Sequence, residues 1–179
     1  MNTHYTATAK ALHWGIALLI FAQLALGVYM TDLELSPAKL QIYAWHKWTG
    51  VTLFLLVVVR VVWRIAHHPP ALPEHMRRLE QFVAHAGHYL LYVLMFTIPL
   101  SGWLMSSAKG VQTVWFGVLP IPDVLAKDKV LGDLLQTVHM SLNLGLGVLV
   151  LGHVGAALKH HFIDKDEVLI RMLPRREQM

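Results

Sequence analysis

Three stretches of this chain run for the thickness of a membrane without a single Asp, Glu, Lys or Arg. They are residues 11–31, 81–108 and 134–158, of 21, 28 and 25 residues. A helix needs about 20 apolar residues to cross a hydrocarbon core. A fourth apolar stretch, residues 48–59 (WTGVTLFLLVVV), is bracketed by Lys47 and Arg60. It extends into a span, as far as Trp63, only if Arg60 snorkels or meets a buried partner. In lipid every backbone amide must be paired within its own segment, which selects helices. Four transmembrane helices are therefore expected, near 11–30, 44–64, 83–106 and 134–158. The fold class that follows is all-α, an integral membrane four-helix bundle. With 55% apolar and only 15% charged residues, against about 25% charged in soluble domains, a disordered chain is excluded and a soluble globule is disfavoured.

Lys and Arg set the orientation. With the N-terminus inside, the inner side holds Lys10, Arg60, Arg64, Arg77, Arg78, Lys159, Lys165, Arg171, Arg175 and Arg176, and the outer side holds Lys39, Lys47, Lys109, Lys127 and Lys129. That bias, ten against five, predicts both termini in the cytoplasm. The net charge of +4 is that of basic loops against anionic lipid, and no nucleic-acid partner is expected. The first window reads as a retained span, because its apolar run is long and no small-x-small cleavage site precedes Asp32. The absence of cysteine excludes disulfides, iron–sulfur clusters, thiolate-ligated haem and covalent c-type haem. The connections are expected at 31–43, 66–80 and 107–133; in the last, VWFGVLPIP suits the membrane interface through Trp115 and Phe116. No nucleotide-binding glycine loop, HExxH or nucleophile elbow is present.

The chemistry lies in the histidines, twelve in all. His13, His46, His88, His139 and His153 fall within or at the edge of a predicted span, where ionisable groups are costly and usually functional. His139 and His153 are 14 residues apart. Fourteen helical steps return to within about 40° of the start and rise about 21 Å, so the two share a face near opposite membrane surfaces. The same interval relates His13 to Gly27 and His46 to Arg60. By helix direction His13 and His153 belong to the inner level, and His46 and His139 to the outer. Each pair can offer two imidazoles to one flat metal complex between helices, the arrangement used for electron transfer rather than oxygen binding. A bare zinc site fits less well: no intramembrane pair is spaced i, i+4 and the spans hold no carboxylate. His85 and His88 are spaced i, i+3 but have no obvious third ligand. Gly50 lies one turn after His46 and admits a close approach. Arg60 can meet a haem propionate or snorkel. His160, beside Lys159, His161 and Lys165, can meet propionates or a quinone headgroup, or anchor the helix. Gln23 reads as an interhelical hydrogen bond, and Pro99 as a kink.

Four segments, ALHWGIALL, WHKWTGVTLFLLVVVRVVWR, AHAGHYLLYVLMFTIPLSGWLM and HVGAALKHHFIDKDEVLIRMLPRR, cover about half the chain in order. In them the chain resembles the bacterial cytochrome b561 family, di-haem proteins of the cytoplasmic (inner) membrane related to the cytochrome b subunits of nickel–iron hydrogenases. The resemblance implies a single transmembrane cytochrome b domain over residues 1–179, with two haem b whose iron is held by His13, His46, His139 and His153. His88 matches a histidine of the family's third helix, for which a role beside the haem or in a quinone site is expected rather than ligation. The implied function is transmembrane electron transfer between a periplasmic donor, superoxide or a small redox protein, and ubiquinone or another quinone; by their position, Trp14, His88 and His160 are expected near the quinone. A superoxide:quinone or quinone-linked oxidoreductase activity is the enzymatic form of that reading. The outer lysines would steer an anion, offset by Asp32, Glu34, Asp123, Asp128 and Asp133. The alternatives are a haem-bearing membrane anchor subunit of a larger dehydrogenase and a haemless channel or transporter. The latter is expected to show an inverted repeat or broken helices, and neither is apparent.

Overall fold

A computed structural model describes residues 4–73 and 76–173. Four long helices, α1 (Ala7–Asp32), α2 (Pro37–Ala66), α3 (Arg78–Ala108) and α4 (Lys129–Lys159), carry nearly all the regular structure. They have 26, 30, 31 and 31 residues. At 1.5 Å per residue this is about 40–46 Å, enough to cross the headgroups as well as the hydrocarbon. All four are long and apolar enough to span a membrane.

Each helix exceeds the expected span because its ends are set by capping rather than by hydrophobicity. Thr6 accepts from Ala9 N at the start of α1, and Asp128 accepts from Leu131 N at the start of α4. Ser36 accepts from Lys39 N, with Pro37 in the first turn. That Ser–Pro pair starts α2 seven residues before the expected position 44 and shrinks the 31–43 connection to a tight turn. At α3 the Arg77 N–H donates to Glu80 Oε2 at 3.1 Å.

The closely packed neighbours are α1 with α2 and α3 with α4, and α2 meets α3 along a thinner seam. The buried core is Ile16, Ile20, Leu53, Val57, Met95, Ile98 and Leu146. Ile20 lies midway between His13 and Gly27, Leu53 midway between His46 and Arg60, and Leu146 midway between His139 and His153. Seven residues return a helix to nearly the same face. The buried apolar layer therefore fills the mid-depth of the face that carries histidines at its two ends. Large apolar side chains cover the outside, Leu18, Val28, Leu144 and Leu151 each being about 70% exposed. A soluble monomer does not tolerate an apolar surface of this extent; lipid requires it. Leu146→Ala is expected to cost about 2–5 kcal/mol, read as a lower midpoint in thermal unfolding in detergent, with no change in the histidines themselves.

The 107–133 connection is folded. Strands β1 (Thr113–Trp115) and β2 (Leu119–Ile121) pair antiparallel, Trp115 opposite Leu119. Phe116 and Gly117 take φ of 50° and 72° in the turn between them. This positive-φ pair matches the right-handed twist of a hairpin, and the glycine makes it accessible. The hairpin docks on the start of α2. Trp48 Nε1 donates to Val114 O at 2.6 Å, Trp115 Nε1 to Trp48 O at 3.2 Å, and Lys47 Nζ to Val111 O at 2.9 Å. Trp115 is thus half-buried against α2, whereas Phe116 and Val118 stand exposed at the turn. After α4 the chain passes through a π-turn (His160–Asp164) and a 3-10 turn (Ile170–Met172).

Candidate functional site: two levels of paired imidazoles

At the level next to the hairpin, His46 of α2 and His139 of α4 face each other with ring centroids 6.4 Å apart and planes at 82°. His139 Nδ1 lies 3.1 Å from Ile98 O and 2.9 Å from Ser101 Oγ, and Ser101 Oγ itself donates to Ile98 O at 2.7 Å. A carbonyl only accepts, so His139 carries its proton on Nδ1. Its Nε2 lone pair is left free, the tautomer and orientation that a metal-binding imidazole needs. The ring lies against the α3 backbone at Gly102, where a Cβ would meet His139 Cε1 at 3.1 Å. Across the pair, Gln23 Nε2 donates to His46 O at 2.9 Å, the interhelical bond expected of Gln23. Gly50 admits that amide, since a Cβ there would sit 3.3 Å from Gln23 Nε2. Gln23 Oε1 and His46 Nδ1 are buried with no hydrogen-bond partner among the described residues.

At the other level His153 of α4 meets two imidazoles. His13 of α1 is 6.1 Å away, centroid to centroid, at 64°, and His88 of α3 is 5.2 Å away at 81°. His88 Nδ1 donates to Ala84 O at 2.7 Å, which again leaves Nε2 free. Arg60 points into the bundle rather than out to the headgroups. Its Nη2 is 3.2 Å from His13 Nδ1, Nη1 donates to Ala9 O at 3.2 Å, and Nε donates to Tyr92 Oη at 3.0 Å. This buried set of partners is what lets α2 cross with a cation in it. Trp14 packs edge-on against His13, centroids 5.2 Å apart, and its Nε1 donates to Met172 O. The structure thus gathers His13, Trp14, Arg60, His88 and His153 at one level. His160 stands apart from them in its contacts, its Nδ1 taken by Asp166 at 2.7 Å and Asp164 at 3.2 Å.

Three participants are absent from the sequence-based expectation: Tyr92, Ser101 and Gly102. Tyr92 lies one helical turn beyond His88, a spacing that places both on one face. Ser101–Gly102 reaches His139 from another helix, so no spacing within α4 could reveal it.

Two imidazoles sharing one metal stand about 6 Å apart between ring centres, from two metal–nitrogen bonds of about 2 Å and half a ring on each side. The two separations agree with that, and His46 keeps a buried nitrogen with no partner among the described residues. The residues present therefore fit a flat iron complex held between α1, α2 and α4. Of the lysines that the charge bias assigns to the outer side, Lys39 donates to Leu33 O, Lys109 bonds Gln136, and Lys129 pairs with Asp133 at 2.7 Å. Of these partners only the Asp133 carboxylate offsets charge; a lysine bonded to a carbonyl or an amide keeps its field toward an anion.

Residues 4–175 match the family model described as prokaryotic cytochrome b561. The chain is 36% identical over 170 residues to cytochrome b561 homolog 2 of Escherichia coli K12, covering 94% of this chain and 90% of that protein. It is 25% identical over 182 residues to the probable superoxide oxidase CybB of Yersinia pestis, covering 98% of this chain and 99% of that one. A third relative, cytochrome b561 homolog 1 of Escherichia coli K12, is 28% identical over 133 residues, covering 74% of each chain. On this match and this architecture, the chain belongs to the prokaryotic cytochrome b561 family and is a multi-pass bacterial membrane protein that carries haem b and transfers electrons.

Proposed function

We propose that this protein carries electrons across the cytoplasmic membrane, from a donor on the periplasmic side to the quinone pool, through two haem b bound one at each level. The observation that supports this best is the pairing of imidazoles at two depths, His46 with His139 and His13 with His153, around a buried apolar layer of Ile20, Leu53 and Leu146. Bound haem iron supplies one-electron transfer by alternating between the ferric and ferrous states. The chain's own residues do the rest. His139 is held in its ligating tautomer by Ile98 and Ser101. The apolar mid-layer excludes water and with it a proton leak. Two imidazoles given to one haem would leave no open position for oxygen.

Arg60 has a second task. Ligation by His13 through Nε2 requires the proton on Nδ1, where Arg60 now donates, and a guanidinium cannot accept. Were His13 to hold a haem, the Arg60 guanidinium would be available to a carboxylate such as a propionate. The quinone is assigned to the level of His13 and His153, where Trp14 and His88 offer aromatic and hydrogen-bonding groups, with His160 beyond them at the end of α4. Both termini are assigned to the cytoplasm, as the ten-to-five lysine and arginine bias supports.

Superoxide is the donor favoured by the likeness to a probable superoxide oxidase. Two superoxide anions each release one electron and leave as oxygen, and one quinone takes both electrons with two protons to become quinol. In proteoliposomes holding the purified protein and ubiquinone, superoxide generated outside is expected to drive ubiquinol formation well above the protein-free rate. If neither superoxide nor a quinol changes the haem oxidation state, the reading fails, and a haem-bearing anchor of a larger dehydrogenase replaces it.

A further inference from the structure

At the end of α4 next to His153, the helix widens into the π-turn His160–Asp164. Lys165 follows in the left-handed region at φ 55°, and both Lys165 N and Asp166 N donate to His160 O. This path folds Asp164 and Asp166 back over the His160 ring. His160 Nδ1 is 3.2 Å from Asp164 Oδ2 and 2.7 Å from Asp166 Oδ2. One donor atom from each of the three lies within 4.8 Å of the other two. The side chains of His160, Asp164 and Asp166 are 12%, 23% and 7% exposed. A π-turn and a non-glycine residue at positive φ are both costly, and both recur at functional sites.

We propose that His160, Asp164 and Asp166 form a binding site for a divalent first-row cation of the zinc class. One imidazole nitrogen with two carboxylate oxygens is a borderline donor set that suits zinc and its neighbours; calcium and magnesium prefer oxygen alone. Bonds of about 2.0–2.2 Å in tetrahedral geometry place donor atoms a little over 3 Å apart, close to the spacings already present. Three protein donors leave a fourth position for water. Asp166 is oriented for the task, since its Oδ1 accepts from Val168 N at 2.9 Å while Oδ2 faces the ring. On metal binding the proton that His160 Nδ1 directs at the two carboxylates leaves, the Nδ1 lone pair goes to the cation, and Nε2 carries the ring proton.

Among the described residues Lys159 is a competing cation, with Nζ 2.7 Å from Asp164 Oδ2. It also reaches Glu80 Oε1 at 3.2 Å, so it keeps a partner when a metal takes Asp164. The segment beyond the cluster is tied to α1, Trp14 Nε1 donating to Met172 O at 2.9 Å and Lys10 Nζ to Leu173 O at 2.8 Å. A cation here would brace the collar that closes the His13–His153 end of the bundle.

The test is equilibrium dialysis of the purified full-length protein against buffered zinc, read by elemental analysis. The same measurement is made on Asp166→Asn, His160→Gln and Lys159→Gln, all of which keep the intramembrane histidines. The wild type is expected to bind one zinc more than Asp166→Asn or His160→Gln. Lys159→Gln is expected to bind it more tightly, because a competing charge is gone. If Asp166→Asn does not fold, Asp164→Asn is read in its place. Equal zinc content in the wild type and these ligand variants overturns the site. So does weaker binding in Lys159→Gln, which marks the cluster as an ion-pair network alone.

Discussion

His139→Ala and His153→Ala should each retain one of the two haems and lose the other, the first emptying the level near the hairpin and the second the level near Arg60. The expectation rests on α4 alone presenting an imidazole at both depths, with His46 and His13 as separate partners. Loss of an outer-shell partner already lowers metal affinity about 10–100-fold, so loss of a ligand should empty a level outright. The buried layer between them, Leu146 included, separates the two levels. Haem content per chain, with redox titration of what remains, checks this. The two variants should titrate as single components with different midpoint potentials. His88 makes the second variant informative in another way. It lies nearer His153 than His13 does, so a haem retained by His13 and His88 in His153→Ala would assign ligation to His88.

Gly102→Leu is the second large effect. The Cβ of any residue at 102 meets His139 Cε1 at 3.1 Å, tighter than a relaxed contact, and Nδ1 at 3.4 Å, at the edge of one. The ring cannot retreat freely, because Nδ1 is held by Ile98 O and Ser101 Oγ. A leucine there should displace the imidazole, break those bonds and cost the haem at that level, while the other remains. Alanine should shift the spectrum and potential of the same haem without losing it. Gly145→Leu is the matched control on α4, because nothing lies within 4 Å of a Cβ built there. It should leave both haems in place. Equal haem loss at 102 and 145 would mean that bulk anywhere in the bundle is harmful, and the proposed seat for His139 would be wrong.

The comparison between sequence and structure follows physical lines. The four spans were legible because a hydrocarbon solvent forbids charge over a fixed length. The pairing of His13 with His153 and His46 with His139 was legible because helix period and chain direction together give face and depth. The early start of α2 was legible too, in Ser36–Pro37, but a charge-counting window does not weigh caps. What stayed hidden depends on contacts between elements. Arg60 had two destinations open to it, and only the neighbouring Tyr92, Ala9 and His13 select the interior. Ser101 and Gly102 act on a histidine nearly 40 residues away. The hairpin was hidden because its strands are three residues long and its turn uses Phe116–Gly117 instead of the usual Asn–Gly.

The central claim is that each chain holds two haem b between paired imidazoles at two depths. A dithionite-reduced minus oxidised spectrum of the purified protein, with the pyridine haemochrome quantified against protein, tests it most directly. Two b-type haems per chain, both low-spin, are the expected result; a single haem, or none after expression with ample haem, contradicts it.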